Sequence, residues 1–465
     1  MKTILLLNPP LYFLDNQPKS LDVSFPPLGL LYLGSYINKN SSVFKVKIID
    51  IGNEQKSLTE IIKTIKKIKP YVIGITSMTP QLQGALEIAK HLKDNFKKTP
   101  IFLGGPHVSA DPNFIKRHHH FFDYAITGEG EITFLESLNK ILKKEKLPLI
   151  QKSTPPLKLD DLPFPDKKLI NRQNYKQTES MLFSRGCPFQ CYYCSRPSIS
   201  HLIRYRSPNN LISEIKKCYR YCKGSISFQD DTFTMNRDKV IDFCQKIIKQ
   251  KIKISWDCNT RIDLVDFELL SFMKQAGCHQ INFGIESGNE RVRKEIIHKG
   301  NFTNKDISKV FDFCKKLKIK IACYFMIGHP TETKKELNDT KNMILNSKID
   351  ILGLSIPTPF PGSALYNISL KDGIISPKII DKFSQKELGI GYSGIYPVYI
   401  PKRIGRDYLY SFLQQINRKF YINGKTIFNR FLKDLLSPKQ FKNDLKDFIS
   451  LVINGVSSRK PYIKK

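Results

Sequence analysis

The chain has 465 residues, of which 41% are hydrophobic, and its formal net charge is +33. This length exceeds what one hydrophobic core usually serves and predicts two large domains with a smaller tail. No apolar run reaches membrane-spanning length, and the apolar segment Ile4–Leu7 stops at Asn8 without a small-residue cleavage site. We therefore expect a cytoplasmic protein whose first apolar segment is a β-strand, without a secretory leader or a membrane span.

The positive charge is mostly lysine spread along the predicted helices, which favours a biased coding composition over a dedicated polyanion site. After Pro401 the charge becomes denser, with 15 Lys and Arg against four Asp. Aromatic residues lie among these charges: Tyr408, Tyr410, Phe412, Phe420, Tyr421, Phe428 and Phe431. A helical cap with a lysine-rich solvated face explains this tail better than contact with an anionic substrate, a membrane surface or RNA.

The first 150 residues alternate strand and helix patterns, as a doubly wound Rossmann-like α/β sheet requires. The predicted strands are Ile4–Leu7, Val46–Asp50, Val72–Thr76, Ile101–Gly104 and Tyr124–Thr127. The predicted helices are Leu28–Asn38, Leu58–Lys67, Gln81–Phe96 and Ile132–Lys143.

Four of these strands end in turn-forming segments instead of ordinary polar loops. The segments are Asn8, Pro9 and Pro10; Ser77, Met78 and Thr79; Gly104, Gly105, Pro106 and His107; and Gly128, Glu129, Gly130 and Glu131. In open α/β sheets ligands bind at the carboxyl ends of the strands, so four such loops at one edge predict a single site. Glycines there allow a flat ligand to approach the backbone.

Prolines and Asp160-Asp161 predict a linker over residues 151–178. From Met181 the strand and helix alternation restarts for about six units, which favours a partial (βα)6 TIM-like barrel over a second open sheet. We expect the barrel to occupy residues 179–366, followed by a basic, aromatic, mostly helical region over residues 367–465. Barrels of this kind carry their chemistry at the carboxyl ends of the strands.

Three of the ten cysteines share one short loop: Cys187, Cys191 and Cys194. A structural zinc site needs four ligands, usually from two separate knuckles, and no second knuckle with that spacing follows. A [4Fe–4S] cluster usually takes four thiolates, so three would leave one iron open to another ligand. The remaining cysteines are scattered through helix and strand patterns, where cysteine usually acts as a small core residue.

The other predicted barrel strands also end in polar or glycine-containing segments. These contain Gln229, Asp230 and Asp231; Arg261; Glu286 and Ser287; and Gly328. The two aspartates either contact a ligand or cap the next helix, and both interpretations stay open. Arg261 and Glu286 either bind a ligand or form a salt bridge at the barrel mouth.

The spacing CxxxCxxC, with Tyr193 before its last cysteine, resembles the radical S-adenosylmethionine (SAM) enzymes. The Pro27-Leu28-Gly29, Gly105-Pro106-His107 and Gly128–Glu131 segments are similar to those of the cobalamin-dependent, class B methyltransferase-like branch. The resemblance spans Met1 to Tyr366. It implies a [4Fe–4S] cluster on the three cysteines and a SAM molecule chelated by the fourth iron.

The resemblance also implies which residues meet each cofactor. SAM would contact Tyr193, Gln229, Asp230, Asp231, Arg261, Glu286, Ser287 and Gly328. The four turn segments of the first sheet would hold cobalamin. The chain has no Asp-x-His-x-x-Gly motif, so we expect cobalt without a lower histidine ligand.

In the family, an external electron lets the cluster cleave SAM to a 5′-deoxyadenosyl radical, and methyltransferase members use a second SAM to methylate cobalamin. The resemblance therefore implies radical methylation of carbon or phosphorus in an unidentified small-molecule or lipid-like substrate. It also implies a reducing electron donor such as flavodoxin or ferredoxin. Nucleic acid is not expected as a partner, whereas peripheral membrane contact stays open.

Four alternatives remain at this stage. The first sheet could keep its fold without binding cobalamin. Cobalamin could assist a cyclisation, as in the anaerobic magnesium-porphyrin cyclase branch. A tRNA methylthiotransferase fits less well, because no cysteine precedes Cys187 to hold a second cluster. The last alternative is a basic RNA- or membrane-binding protein with a structural cluster.

Overall fold

The computed structural model describes residues 1–19, 25–54, 56–175, 178–196, 199–200, 202–300, 302–376 and 398–422. The chain forms two compact units. The first unit contains Met1–Thr260, Glu268–His279 and Phe360–Gln385, and the second contains Arg261–Phe267, Gln280–Pro359 and Lys386–Lys465. In the described part of the chain, no helix is both long and apolar enough to cross a bilayer.

The amino-terminal sheet has six parallel strands in the order β4-β1-β5-β6-β7-β8. These strands are β1 Lys2–Asn8, β4 Phe44–Asp50, β5 Val72–Thr76, β6 Ile101–Gly104, β7 Tyr124–Thr127 and β8 Ile150–Lys152; a small hairpin joins β2 Tyr12–Leu14 to β3 Gln17–Lys19. All five predicted strands are present. The hairpin and β8 were not predicted.

Seven helices accompany this sheet in the described residues: α1 Leu28–Asn40, α2 Ile51–Glu54, α3 Leu58–Ile68, α4 Leu82–Asn95, α5 Pro106–Ala110, α6 Phe114–Arg117 and α7 Glu131–Leu142. Ser57 and Glu60 form a reciprocal capping box at the start of α3. The core between helices and sheet is aliphatic and aromatic, with Ile4, Leu6, Phe102 and Phe134 among its buried members. The doubly wound α/β prediction is confirmed.

The remaining elements alternate strand and helix in the order that the sequence predicts. They are β9 Glu179–Met181, β10 Ser184–Arg185, β11 Arg204–Tyr205, α8 Pro208–Cys222, β12 Ser225–Phe228, α9 Arg237–Lys249, β13 Ser255–Thr260, α10 Phe267–Gln275, β14 Cys278–Glu286, α11 Asn304–Lys316, β15 Lys320–Met326, α12 Lys334–Asn346, β16 Ile351–Ser355, α13 Ala364–Lys371 and α14 Arg406–Tyr421. The second sheet has the order β16-β15-β14-β13-β12-β9. Pairing is parallel for β9–β12–β13 and for β14–β15–β16.

Buried aromatic rings fill the part of this second sheet that belongs to the first unit. The single tryptophan, Trp256, is fully buried and packs against Phe228, Phe233 and Phe243. Its indole N–H donates to the carbonyl of Ala276 at 2.8 Å, so the polar atom is satisfied inside an apolar core. Six of the seven scattered cysteines are buried, as expected for small core residues.

The proposed linker folds onto helix α1. The Asp166 backbone N–H donates to Ser35 Oγ at 2.7 Å, and Leu159 and Leu162 pack with Tyr32. The predicted linker therefore contains ordered turns. The predicted boundaries of the first sheet, the linker, the barrel and the carboxyl-terminal region stay predictions.

Helix α14 packs against α12 and β16 within the second unit. The Tyr421 hydroxyl donates to the Leu352 carbonyl at 2.6 Å and accepts from the Leu352 N–H at 3.2 Å. The predicted aromatic residues after Tyr421, Phe428 and Phe431, lie outside the described residues.

The approach of α4 to the Asn8–Pro10 turn yields a stability prediction. A Cβ at Gly84 would lie 2.2 Å from the Pro10 carbonyl oxygen, whose backbone cannot move away like a flexible side chain. We expect Gly84→Ala to lower the free energy of unfolding by about 2 kcal/mol in urea titrations, the cost of overpacking. Gly29→Ala is the matched control, because a Cβ there meets nothing within 4 Å. Equal losses in both variants would contradict the prediction.

Candidate active site

The three-cysteine loop lies between the paired strands β10 and β11 of the first unit. Gly186 has φ +95°, and a Cβ there would lie 2.2 Å from the Leu202 carbonyl oxygen. Only glycine tolerates both the left-handed backbone and this close approach. The loop therefore leaves strand β10 in a sharp turn immediately before Cys187.

Asp230 anchors the start of this loop to the end of β12. Its fully buried carboxylate accepts from the N–H groups of Phe183 and Ser184 at 3.0 and 2.5 Å, and from the Ser184 hydroxyl at 2.6 Å. Burial raises its pKa to about 6, against the opposing effect of these hydrogen bonds. The structure thus engages both Asp230 oxygens with the loop, and direct contact with SAM stays a prediction.

Asp231 and Gln229 form hydrogen bonds with residues other than Phe183 and Ser184. Asp231 accepts from Arg196 Nε at 2.9 Å, and Gln229 donates to Ser227 Oγ at 2.9 Å. Neither aspartate caps the short helical turn beyond it, since Thr232 occupies that position without a side-chain cap bond.

The three cysteines of this loop are the predicted ligands of the cluster. Cys187, Cys191 and Cys194 are all half-buried. Among the described residues, no three His, Cys, Asp or Glu side chains converge as they would on one metal ion. A [4Fe–4S] cluster would take each thiolate on a different iron, and the assignment of these three cysteines to it stays a prediction. Burial raises the Cys194 pKa to about 11, and the thiolate form there needs a nearby cation such as iron.

A cavity of about 280 Å³ lies within the first unit, between the strand ends of the first sheet and the cysteine-bearing hairpin. Its floor is apolar and includes Leu6, Ile75, Phe102 and Phe134. The lining also includes residues of the cysteine-bearing hairpin and of the segment after β12, most of them polar: Leu182, Ser184, Arg185, Gly186, Arg196, Ile199, Ser200, Gln229 and Asp231. An apolar, glycine-edged cavity of this kind fits part of a flat macrocyclic cofactor.

Some of the predicted cobalamin residues line the cavity, and the others lie in turns beside it. The lining includes Gly104, Gly105, Pro106, Gly128, Glu129, Gly130 and Glu131. Asn8, Pro9, Pro10, Ser77, Met78, Thr79 and His107 do not line it. Gln81 connects two of the supporting turns, because its amide donates to Asn8 Oδ1 at 3.1 Å and to the Pro9 carbonyl at 2.8 Å.

His107 is fully buried in α5 and lies against the Phe114 ring. Its Nδ1 is 3.1 Å from Thr79 Oγ1. Burial lowers its pKa to about 4, so the ring is neutral near pH 7.

Of the remaining predicted SAM residues, Tyr193 lies in the first unit, edge-on to the Tyr192 ring, and the second unit holds Arg261, Glu286, Ser287 and Gly328. Arg261 forms a bidentate pair with Asp263 at 2.9 and 2.7 Å. Glu286 follows a register shift in β14 and has φ +70°, a strained conformation for a residue other than glycine. Its buried carboxylate accepts from Lys299 Nζ at 2.7 Å. A salt bridge therefore exists at both positions, and SAM contacts there stay predictions.

Other residues of the protein also contact the glycine turn that follows β15. Gly328 has φ +90°, and a Cβ there would lie 2.5 Å from Leu409 Cδ2 of α14. Glu332 Oε2 accepts from the N–H groups of Gly328 and His329 at 2.7 and 2.9 Å. Glycine at this position serves helix packing, whether or not it also admits adenosine.

Sequence reasoning missed the partners of several predicted residues. Lys299 pairs with Glu286, Glu332 holds the Gly328 turn, and Arg185 and Arg204 bind Glu129. A signal existed for Arg185, because an arginine directly before the cysteine motif is a natural partner for carboxylates. Lys299 lies 13 residues beyond Glu286, and nothing in the sequence around either residue predicts that they pair.

The fold joins a Rossmann-like sheet to a partial barrel whose first loop carries three cysteines. The Radical SAM superfamily profile matches residues 181–344, and the B12 binding domain profile matches residues 20–138. An uncharacterized methyltransferase of Pyrococcus horikoshii is 31% identical, covering 90% of this chain and 91% of the relative. The chain therefore belongs to the cobalamin-dependent radical SAM family, whose cofactors are a [4Fe–4S] cluster, SAM and cobalamin.

Two further comparisons agree with this assignment. The anaerobic magnesium-protoporphyrin IX monomethyl ester cyclase of Rubrivivax gelatinosus is 24% identical over 92% of this chain and 79% of its own length. The structure of the methyltransferase TsrM from Kitasatospora setae, with cobalamin and [4Fe–4S] cluster bound, is similar with a TM-score of 0.65. That match covers 90% of this chain and 82% of TsrM at 15% identity, so it shows the fold. The partial-barrel prediction is confirmed.

Glu332 yields a pH prediction. Burial raises its pKa from 4.5 to about 7, so the folded state retains a proton that the unfolded state loses above pH 4.5. The stabilising effect of that proton is present below pH 4.5 and is lost as the pH rises through 7. We expect Glu332→Gln to gain stability relative to the parent protein between pH 5 and 7, measured by urea unfolding.

Glu336→Gln is the control for this measurement. Burial opposes the charge of Glu336, but hydrogen bonds from Arg291 and Thr333 outweigh it and lower the pKa to about 2. Its contribution changes only below pH 4.5, so its difference from the parent protein should stay constant between pH 5 and 7. A constant difference for Glu332→Gln as well would rule out the assigned titration.

Proposed function

We propose that this chain is a radical SAM methyltransferase acting on an unactivated carbon or phosphorus of a small-molecule or lipid-like substrate. The cluster is assigned to Cys187, Cys191 and Cys194, and cobalamin to the glycine turns of the first sheet. The observation that carries the proposal is the shared cavity, which those turns and the cysteine-bearing hairpin line together. When bound, SAM and the cluster supply a carbon radical, and cobalamin supplies a methyl group.

The residues of the chain have three tasks in this scheme. Asp230 holds the cysteine loop against β12, and Gly186 turns it toward the cavity. Gly104, Gly105, Gly128 and Gly130 allow a large flat group to approach the backbone. The apolar floor around Phe102 and Phe134 excludes water from the same space.

We further assign Arg261, Glu286 and Ser287 to SAM, with Lys299 orienting Glu286. A Cβ at Gly284 would lie 2.5 Å from Lys299 Nζ and 2.6 Å from Glu286 Oε1, so glycine leaves room for the ion pair. The strained φ of Glu286 supports a functional role, because such strain is concentrated at ligand sites.

An oxygen-sensitive cluster requires a reducing compartment, so we place the enzyme in the cytoplasm. The reductant would be a small electron carrier such as flavodoxin or ferredoxin. Peripheral membrane contact through the basic carboxyl-terminal region would suit a lipid-like substrate.

A cyclase function is the second candidate, because the Rubrivivax gelatinosus cyclase aligns over 92% of the chain. Product mass separates the two functions, since only methylation adds a CH2 unit to the substrate.

Cofactor turnover tests the leading proposal. Anaerobically reconstituted protein with SAM, dithionite and hydroxocobalamin should produce both 5′-deoxyadenosine and S-adenosylhomocysteine. We expect Cys191→Ala to abolish 5′-deoxyadenosine formation and to lower bound iron, whereas Cys218→Ala, which alters a half-buried thiol on α8, retains both. Formation of 5′-deoxyadenosine without S-adenosylhomocysteine would exclude methylation.

The lower face of cobalt gives a separate prediction. His107 is buried against Phe114 and Thr79 and does not line the cavity, so we expect cobalt to lack a histidine ligand. The electron paramagnetic resonance spectrum of bound cob(II)alamin should contain no superhyperfine splitting from a protein imidazole, whatever splitting the cofactor's own dimethylbenzimidazole base contributes. His107→Asn should leave that spectrum unchanged. Nitrogen splitting that disappears in the variant would identify His107 as a ligand.

A further inference from the structure

Arg185, two residues before Cys187, pairs with both carboxylates of the turn that follows β7. Its Nη1 lies 2.9 Å from Glu129 Oε2 and 2.8 Å from Glu131 Oε1. Arg204 is the cross-strand partner of Arg185 in the β10–β11 hairpin, and its Nη2 also pairs with Glu129. Two arginines of the cysteine-bearing hairpin therefore meet two glutamates of the first sheet.

The surroundings strengthen these ion pairs. The side chains of Arg185 and Glu131 are 13% and 5% exposed, so water screens them little. The Tyr32 ring lies 4.7 Å from the Arg185 guanidinium, and Arg204 Nη1 donates to the Pro156 carbonyl at 2.6 Å. Buried charges of this kind are costly to leave unpaired, so loss of one partner disturbs the others.

We propose that Arg185, Arg204, Glu129 and Glu131 form an electrostatic clasp that fixes the cobalamin-side turn against the cluster-side hairpin. Glu129 and Glu131 are then positioning residues that act through arginine, instead of direct cobalamin ligands. The identity of the two cofactors rests on the proposed function, whereas the clasp itself is a property of the protein alone.

The clasp gives two cofactor loops one common anchor. The glycines of the Gly128–Glu131 turn and the segment Ser184–Gly186 line the same cavity. Reactions between two bound groups are sensitive to displacements of about 1 Å, so a rigid link between the loops serves the chemistry directly. The ion pairs provide that link across more than 50 residues of sequence.

Hydrogen–deuterium exchange of the cofactor-free protein tests the clasp, with mass spectrometry of peptides covering residues 128–134 and 184–192. We expect Arg185→Met to accelerate exchange in residues 128–134 by about tenfold, because local opening no longer breaks the ion pairs. Glu131→Gln should accelerate exchange in residues 184–192 and keeps both arginines, so it remains informative if Arg185→Met does not fold.

Arg196→Met is the matched control. Arg196 lines the same cavity but pairs with Asp231 at 2.9 Å, so its loss should leave exchange in residues 128–134 unchanged. Unchanged exchange in the partner segment for both Arg185→Met and Glu131→Gln would overturn the proposal, as would equal acceleration by Arg196→Met. Because the measurement uses protein without cofactors, its outcome is separate from failure to form S-adenosylhomocysteine.

Discussion

The site depends most on the hydrogen bonds between a buried carboxylate just after β12 and the residues that begin the cysteine loop. Asp230 is completely enclosed, yet its oxygens receive two backbone N–H groups and a hydroxyl from the residues that begin the cysteine loop. Such a group is stable inside protein only while its hydrogen-bond partners stay in place. The aromatic core around Trp256 supports the strand beneath it. Core packing thus determines where the loop with the three cysteines begins.

Several residues at the strand ends form hydrogen bonds or ion pairs with one another. Gln81 joins two turns of the first sheet, Glu332 closes the turn after β15, and Lys299 fixes Glu286. A sequence motif therefore predicts where the site lies more reliably than it predicts which group each side chain contacts. Relatives named as a methyltransferase and as a cyclase each align over at least 90% of this chain, and one fold can carry more than one function.

Local pattern predicted most of the fold. The five strands of the first sheet and the later alternation follow from runs such as Ile4–Leu7 and from the turns that bound them. The strand β8 was missed because three residues beside a proline-rich segment carry too little pattern. The cysteine loop and the glycine turns were found because their composition is unusual. Their partners Arg204 and Lys299 were missed because pairing across distant segments depends on tertiary structure, which no short window contains.

The second sheet ends at β16, whose outer edge would ordinarily present unpaired backbone groups. Tyr421 meets both the N–H and the carbonyl of Leu352 with one phenolic oxygen. A single hydroxyl therefore substitutes locally for the main chain of a neighbouring strand. Exposed edges invite strands from other molecules, and a covered edge does not. Helix α14 accordingly covers the β16 edge at Leu352, where a strand from another molecule would otherwise have backbone groups to pair with.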